Sequence, residues 1–104
     1  MNGYLAILLC ATLLPASTAK ERRLRQEFDD LAARASALVQ VVDQMDANLR
    51  QQGLTLHPDI TSARNSLVAA MESASDALEQ RDWTELRKSL TRARGWIDRL
   101  HRQL

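Results

Sequence analysis

Three stretches of the chain carry an apolar residue at every third or fourth position, and this pattern restricts the fold more than any other feature. The first stretch consists of Leu24, Phe28, Leu31, Ala35, Leu38, Val42, Met45 and Leu49. Spacings that alternate between four and three residues place all of these side chains on one stripe of an α-helix, where they face a partner helix. We therefore predict a first helix over residues 20–52, ended by Gly53 at the position where glycine commonly stops a helix.

The same spacing recurs twice in the second half of the chain. The second stripe consists of Ile60, Ala63, Leu67, Ala70, Ala74 and Ala77, and the third of Trp83, Leu86, Leu90, Ala93, Ile97, Leu100 and Leu104. Pro58 suits the first turn of a helix and Asp59 favours the positive end of its dipole, so the second helix is predicted over residues 58–80.

A helix start is also encoded between the second and third stripes. Asp82 is a good N-cap residue, and Glu85 follows at the position that completes a capping box. The third helix is therefore predicted over residues 83–101. One continuous helix through Arg81 is the alternative, since neither Gly nor Pro forbids it, but a helix of that length is rare in globular proteins.

Three amphipathic helices joined by short connections predict an all-α fold, a small antiparallel three-helix bundle with coiled-coil-like heptad seams. The first helix is about 33 residues long and the others about 22, which corresponds to roughly 50 Å and 33 Å. We therefore expect residues 20–29 to project beyond the bundle. This overhang would leave Leu24 and Phe28 without a partner inside the chain.

The first nineteen residues have a different character, because they contain no charged side chain. An apolar run from Tyr4 to Leu14 precedes Pro15, and Ser17 and Ala19 fit the small residues before a cleavage site. The run is shorter than the roughly 20 residues that span a bilayer. We therefore predict a secretory signal peptide over residues 1–19. The protein is then expected to be periplasmic or secreted, with no transmembrane segment after cleavage. A retained membrane anchor is the alternative.

The only cysteine of the chain, Cys10, lies inside this predicted signal peptide. Cleavage after Ala19 removes it, so the mature domain contains no thiol and forms no disulfide even in an oxidising compartment. A mature domain of about 85 residues must then be stabilised by its apolar core alone.

Charge is nearly balanced overall, at +1, but it is divided between the second and third helices. The second helix carries Asp59, Glu72, Asp76 and Glu79 against Arg64, whereas the third carries Arg87, Lys88, Arg92, Arg94, Arg99 and Arg102 against Glu85 and Asp98. One interpretation is that the acidic helix lies beside the basic helix and helps to fix the topology. The other is that the third helix contacts an anionic envelope surface such as phospholipid headgroups. Nucleic acid is not expected, because aromatic stacking residues are missing.

Motifs for catalysis, cofactors or metals are not found. The chain has no nucleophile elbow, phosphate loop or zinc motif. Its two histidines, His57 and His101, belong to solvated helix ends and lack metal-ligand spacing. We expect no enzyme activity, no cofactor and no metal; a small metal-binding or bundle-core enzyme is the least favoured alternative.

The stretch Gly95-Trp96 stands out in the third helix. Gly95 is unfavourable inside a helix by about 1 kcal/mol relative to alanine. Trp96 lies beside the seam, one turn from both Arg92 and Arg99, whose guanidinium groups are placed to stack on its ring. Tryptophan and arginine are enriched among the residues that dominate protein interfaces.

These features predict a non-catalytic helical-bundle protein that mediates protein–protein interaction or self-association in the cell envelope. The expected partner-binding residues fall into two groups, one on the predicted overhang and one on the third helix. They are Leu24 and Phe28, and Arg92, Trp96 and Arg99.

Overall fold

A computed structural model describes residues 18–104, and within this range the chain forms three α-helices and no strand. They are α1 (Ala19–Gln51), α2 (Pro58–Glu79) and α3 (Trp83–Gln103), and they pack against one another as an all-α bundle. Each helix end lies within two residues of the predicted one. The predicted signal peptide lies outside the described residues except for Thr18 and Ala19. Within the described part of the chain, no helix is long and apolar enough to cross a membrane.

The first two helices end in the same backbone motif. After α1, Gly53 adopts a left-handed conformation (φ 74°), and the N–H of Leu54 donates to the carbonyl of Leu49 at 2.7 Å. After α2, Arg81 takes the left-handed position (φ 55°), and the N–H of Asp82 donates to a carbonyl in the last turn of that helix at 2.9 Å. These are Schellman motifs, which satisfy carbonyl groups that a helix end leaves unpaired. The second motif reverses the chain and excludes the continuous helix through Arg81.

The start of α3 has half of the predicted capping box. The Asp82 carboxylate accepts a hydrogen bond from the N–H of Glu85 at 3.1 Å, as an N-cap residue does. The reciprocal bond is not formed, because the N–H of Asp82 donates to the carbonyl of Ala77 and the Glu85 carboxylate pairs with Arg92. Asp82 thus caps the C-terminal end of α2 with its backbone N–H and the N-terminal end of α3 with its carboxylate.

The core of the bundle is built from the three predicted stripes. Buried apolar residues on α1 are Leu24, Leu31, Ala35, Leu38 and Val42; on α2, Ala63, Leu67, Ala70, Ala74 and Ala77; and on α3, Leu86, Leu90, Ala93, Ile97 and Leu100. The most extensive helix pair is α2 with α3. The alanines of α2 explain this, since small side chains let the leucines of α3 approach the helix axis closely.

The predicted overhang of α1 is wrong. Leu24 is only 6% exposed, and Phe28 packs against the core. The prediction considered only how far α2 reaches back along α1, whereas α3 also covers its first turns. Arg94 of α3 pairs with Glu27 at 3.2 Å, and the Arg25 guanidinium lies 5.6 Å from the centroid of the Trp83 ring.

Within the described residues, the acidic side chains of α2 form no ion pairs with the basic side chains of α3. Arg92 pairs with Glu85 on its own helix, and Arg94 pairs with Glu27 on α1. The basic residue of α2, Arg64, binds Asp43 of α1 through two nitrogen–oxygen contacts of 3.2 Å. The packing of α2 against α3 therefore follows from their apolar seams. The ion pairs between helices in this range connect α1 with α2 and with α3.

Candidate functional site

An apolar groove runs between α1 and α2. It encloses about 350 Å³, and its lining residues are Phe28, Ala32, Ala35, Ser36, Val39, Leu67, Val68, Met71, Glu72 and Ser75. Glu72 is the one charged residue among them. A groove with this lining favours an apolar occupant over a polar small molecule.

The groove is lined partly by residues of the core stripes and partly by residues directly beside them. On α1, Phe28, Ala32, Ala35 and Val39 follow one another at spacings of four, three and four residues. On α2, Val68, Met71 and Ser75 follow at spacings of three and four. Ala35 and Leu67 are buried and form the floor, whereas the larger side chains of the walls remain partly exposed. The edge of the core and the groove therefore share residues such as Ala35 and Leu67.

The groove exists because its floor and walls contain small residues. Ala32, Ala35, Ser36 and Ser75 do not extend far enough to fill the space between the two helices. The pair α1 with α2 also makes the least extensive of the three interfaces. The space between Phe28 and Met71 therefore remains open.

A second exposed feature is the Trp96 surface, which we define as Arg92, Gly95, Trp96 and Arg99 on α3. Trp96 is partly buried against the core, and the Arg99 guanidinium lies 5.4 Å from the centroid of its ring. Arg92 points elsewhere, since it donates to Glu85 at 3.3 Å and to the buried Ser89 hydroxyl at 3.1 Å. One of the two predicted arginine–tryptophan contacts is therefore present.

Gly95 lies on the exposed side of α3 within the Trp96 surface. A Cβ atom built at this position meets no heavy atom within 4 Å. The packing of the described bundle therefore does not require glycine here. The absence of a side chain leaves the backbone of α3 open to close approach from outside.

The predicted partner-binding residues do not form one site. Phe28 lines the groove, Leu24 is buried in the core, and the Trp96 surface contributes none of the groove's lining residues. Sequence reasoning missed Val39, Val68 and Met71 as groove residues. Their signal was present, because these apolar residues lie directly beside heptad positions and widen the stripe.

His57 has a local role at the start of α2. Its Nδ1 atom accepts a hydrogen bond from the N–H of Asp59 at 3.1 Å, which makes His57 the N-cap. The Asp59 carboxylate lies farther from Nδ1, at 3.8 Å. We favour the cap, because 3.1 Å is the distance of a hydrogen bond and 3.8 Å is too long for one. Over residues 18–104 there is no group of three or more potential ligands placed to hold a metal ion.

The described residues thus form an apolar groove between α1 and α2 and a separate tryptophan-centred surface on α3. No protein-family model, curated protein or solved structure matches this chain.

Proposed function

We propose that the protein is a non-catalytic interaction protein of the cell envelope, and that it binds an amphipathic helix of another protein in the groove between α1 and α2. The observation that carries this proposal is the groove itself, with ten lining residues of which only Glu72 is charged. Exposed apolar surface of this kind marks interaction sites on soluble domains.

We infer that the occupant is a helix, because the apolar residues of the groove walls recur at spacings that match the apolar stripe of another helix. Phe28, Ala32 and Val39 on one side and Val68 and Met71 on the other recur at the spacings that a heptad stripe matches. An apolar stripe at positions i, i+3, i+4 and i+7 of the partner inserts into such a groove, which is a common mode of peptide recognition.

The position of Glu72 favours a different protein over a second copy of the chain. The groove-lining part of α2 runs from Leu67 to Ser75, and Glu72 lies next to its midpoint. A two-fold axis through the middle of the groove would bring two Glu72 carboxylates towards each other, and like charges at an interface are unfavourable. A partner helix with Lys or Arg opposite Glu72 has no such cost.

The envelope location is part of the proposal and rests on the sequence of residues 1–19. An uncharged apolar run followed by Pro15, Ser17 and Ala19 is typical of a cleaved export signal. A partner in the periplasm or outside the cell would meet a domain without thiols, whose interaction surface is unaffected by the redox state of that compartment.

Site-specific photo-crosslinking in the native cell tests the proposal, with the probe at position 28 in the groove and, separately, at position 96. We expect a crosslinked band from position 28 that differs from twice the monomer mass. Mass spectrometry of the crosslinked peptide should identify an amphipathic helical segment that carries Lys or Arg.

A matched pair of variants shows whether the groove is responsible. Ser36 and Ala37 are adjacent and exposed on α1, but only Ser36 lines the groove. Ser36→Arg should abolish the band from position 28, and Ala37→Arg should leave it unchanged. A band at twice the monomer mass would replace the partner helix by a second copy. A band from position 96 alone would move the interaction to the Trp96 surface and contradict the groove proposal.

A further inference from the structure

Basic residues of α1 and α3 converge on a cleft at the beginning of α1. The cleft encloses about 560 Å³, and its lining residues are Lys20, Arg23, Leu24, Glu27, Arg87, Thr91 and Arg94. Four of these seven are basic and one is acidic, which leaves a formal excess of three positive charges. More than sixty residues separate Lys20 and Arg23 on α1 from Arg87 and Arg94 on α3, so only the packing of α3 against α1 brings the two pairs together.

Most of this positive charge is not neutralised within the described residues. Glu27 pairs with Arg94 at 3.2 Å. Lys20, Arg23 and Arg87 take part in none of the ion pairs found over residues 18–104. The single acidic residue of the cleft is therefore already engaged by one of its four basic residues.

The Thr91 hydroxyl also has a defined partner. It donates to the carbonyl of Arg87, one turn earlier on α3, at 2.9 Å. Donors available to a ligand in the cleft are thus the ammonium of Lys20, the guanidinium groups of Arg23 and Arg87, and the remaining N–H groups of Arg94. All of these are cationic, so the cleft is complementary to an acceptor that carries more than one negative charge.

We propose that this cleft binds a phosphate group, either on an anionic phospholipid or on a soluble phosphorylated compound. Guanidinium groups match the oxygen geometry of phosphate in bidentate hydrogen bonds, and an ammonium group adds a point charge. Like charges held near each other destabilise the unliganded bundle, and a bound phosphate compensates for them. The cleft lies between α1 and α3 and shares no lining residue with the groove between α1 and α2, so this site is independent of the proposed helix partner.

Two double variants with equal loss of charge test the site. Arg23→Gln with Arg87→Gln removes two cations that line the cleft. Arg22→Gln with Lys88→Gln removes two cations from the neighbouring positions, which are exposed on the same helices but do not line the cleft. Binding of pyrophosphate is measured by calorimetry, and binding to vesicles of phosphatidylglycerol in phosphatidylcholine is measured by co-sedimentation, both at fixed ionic strength.

We expect the cleft variant to bind at least one of these two probes about tenfold more weakly or worse, because two charge-assisted contacts are lost. The control variant should bind within about twofold of the unmodified protein. Selective loss of vesicle binding identifies a lipid headgroup as the source of the phosphate, and selective loss of pyrophosphate binding identifies a soluble ligand.

The proposal is overturned if the unmodified protein binds neither probe, or if both double variants lose binding equally, which would indicate only a diffuse effect of net charge. Thermal unfolding without ligand provides a second measurement. The cleft variant should be at least as stable as the unmodified protein, because removing mutually repelling charges does not weaken the fold. A large loss of stability would instead assign Arg23 and Arg87 a structural role.

Discussion

Arg94 on α3 lies 3.2 Å from the carboxylate of Glu27 on α1, although 67 residues separate the two in the chain. Both side chains are about half exposed, at 51% and 49%, so the pair contributes no more than about 1 kcal/mol. The pair defines the axial position of α3 relative to α1, since it shows that α3 lies alongside the first turns of α1. Leu24, one turn before Glu27, is buried by the same packing.

Replacement of Leu24 by alanine tests this register. Because Leu24 is 6% exposed and belongs to the core, Leu24→Ala should lower the free energy of unfolding by about 2–4 kcal/mol. Urea denaturation followed by circular dichroism measures the change. The control is Val41→Ala on the same helix, where the side chain is 44% exposed and a change of less than about 0.5 kcal/mol is expected. Equal effects of the two variants would restore the overhang that the structure excludes.

The left-handed conformation of Arg81 gives a prediction about the turn between α2 and α3. A non-glycine residue at φ 55° costs about 1–2 kcal/mol. Glycine avoids this cost, but it also loses more conformational entropy on folding, so only part of the roughly 1–2 kcal/mol appears as added stability. Arg81→Gly should therefore raise the free energy of unfolding by about 0.5–1 kcal/mol. Arg81→Ala keeps the strained backbone and should change little, so it separates the backbone effect from loss of the guanidinium group. If both variants were equally stable, the strain at Arg81 would be refuted.

The opposite change applies at the end of α1. Gly53 has φ 74°, and a Cβ atom built on it meets nothing within 4 Å, so any cost of a side chain arises from the backbone alone. Gly53→Ala should lower the free energy of unfolding by about 1 kcal/mol. Thermal unfolding of Gly53→Ala and Arg81→Gly under the same conditions compares the contributions of the two Schellman motifs to stability. A Gly53→Ala protein as stable as the unmodified one would mean that the loop after α1 adopts another conformation.

Asp82 connects the same turn to the start of α3. Its carboxylate accepts the N–H of Glu85 at 3.1 Å, and no other side chain is placed to replace it among the described contacts. Asp82→Ala should therefore cost about 1 kcal/mol, whereas Asp82→Asn or Asp82→Ser should retain most of the stability. Chemical denaturation of the three variants measures this order. Asparagine as harmful as alanine would show that negative charge at the helix start matters more than the hydrogen bond.

The heptad seams are sufficient to predict the three helices and most of the core, because a single stripe per helix determines which side chains can face inward. Relative axial placement is harder to predict. It depends on where α3 contacts α1, and residues such as Glu27 and Arg94 carry no sequence signal that they meet. The groove was missed for a related reason. Val39, Val68 and Met71 lie beside the heptad positions, and only the packing shows that small neighbours leave them partly uncovered.

Gly95 supplies the last prediction. It lies in the middle of α3, its Cβ would enter open space, and glycine inside a helix is less stable than alanine by about 1 kcal/mol. Gly95→Ala should therefore raise the free energy of unfolding of the isolated protein by about that amount, measured by urea denaturation. A destabilised variant would contradict the exposed position of Gly95.

The same variant examines the Trp96 surface in the cell. If a partner backbone approaches α3 at Gly95, a methyl group there should reduce crosslinking from position 96 even though the protein is more stable. Arg99→Ala, which removes the guanidinium that lies beside position 96, serves as the comparison because it leaves the backbone open. Unchanged crosslinking in Gly95→Ala together with a loss in Arg99→Ala would assign contact to the side chains of this surface and none to the exposed backbone.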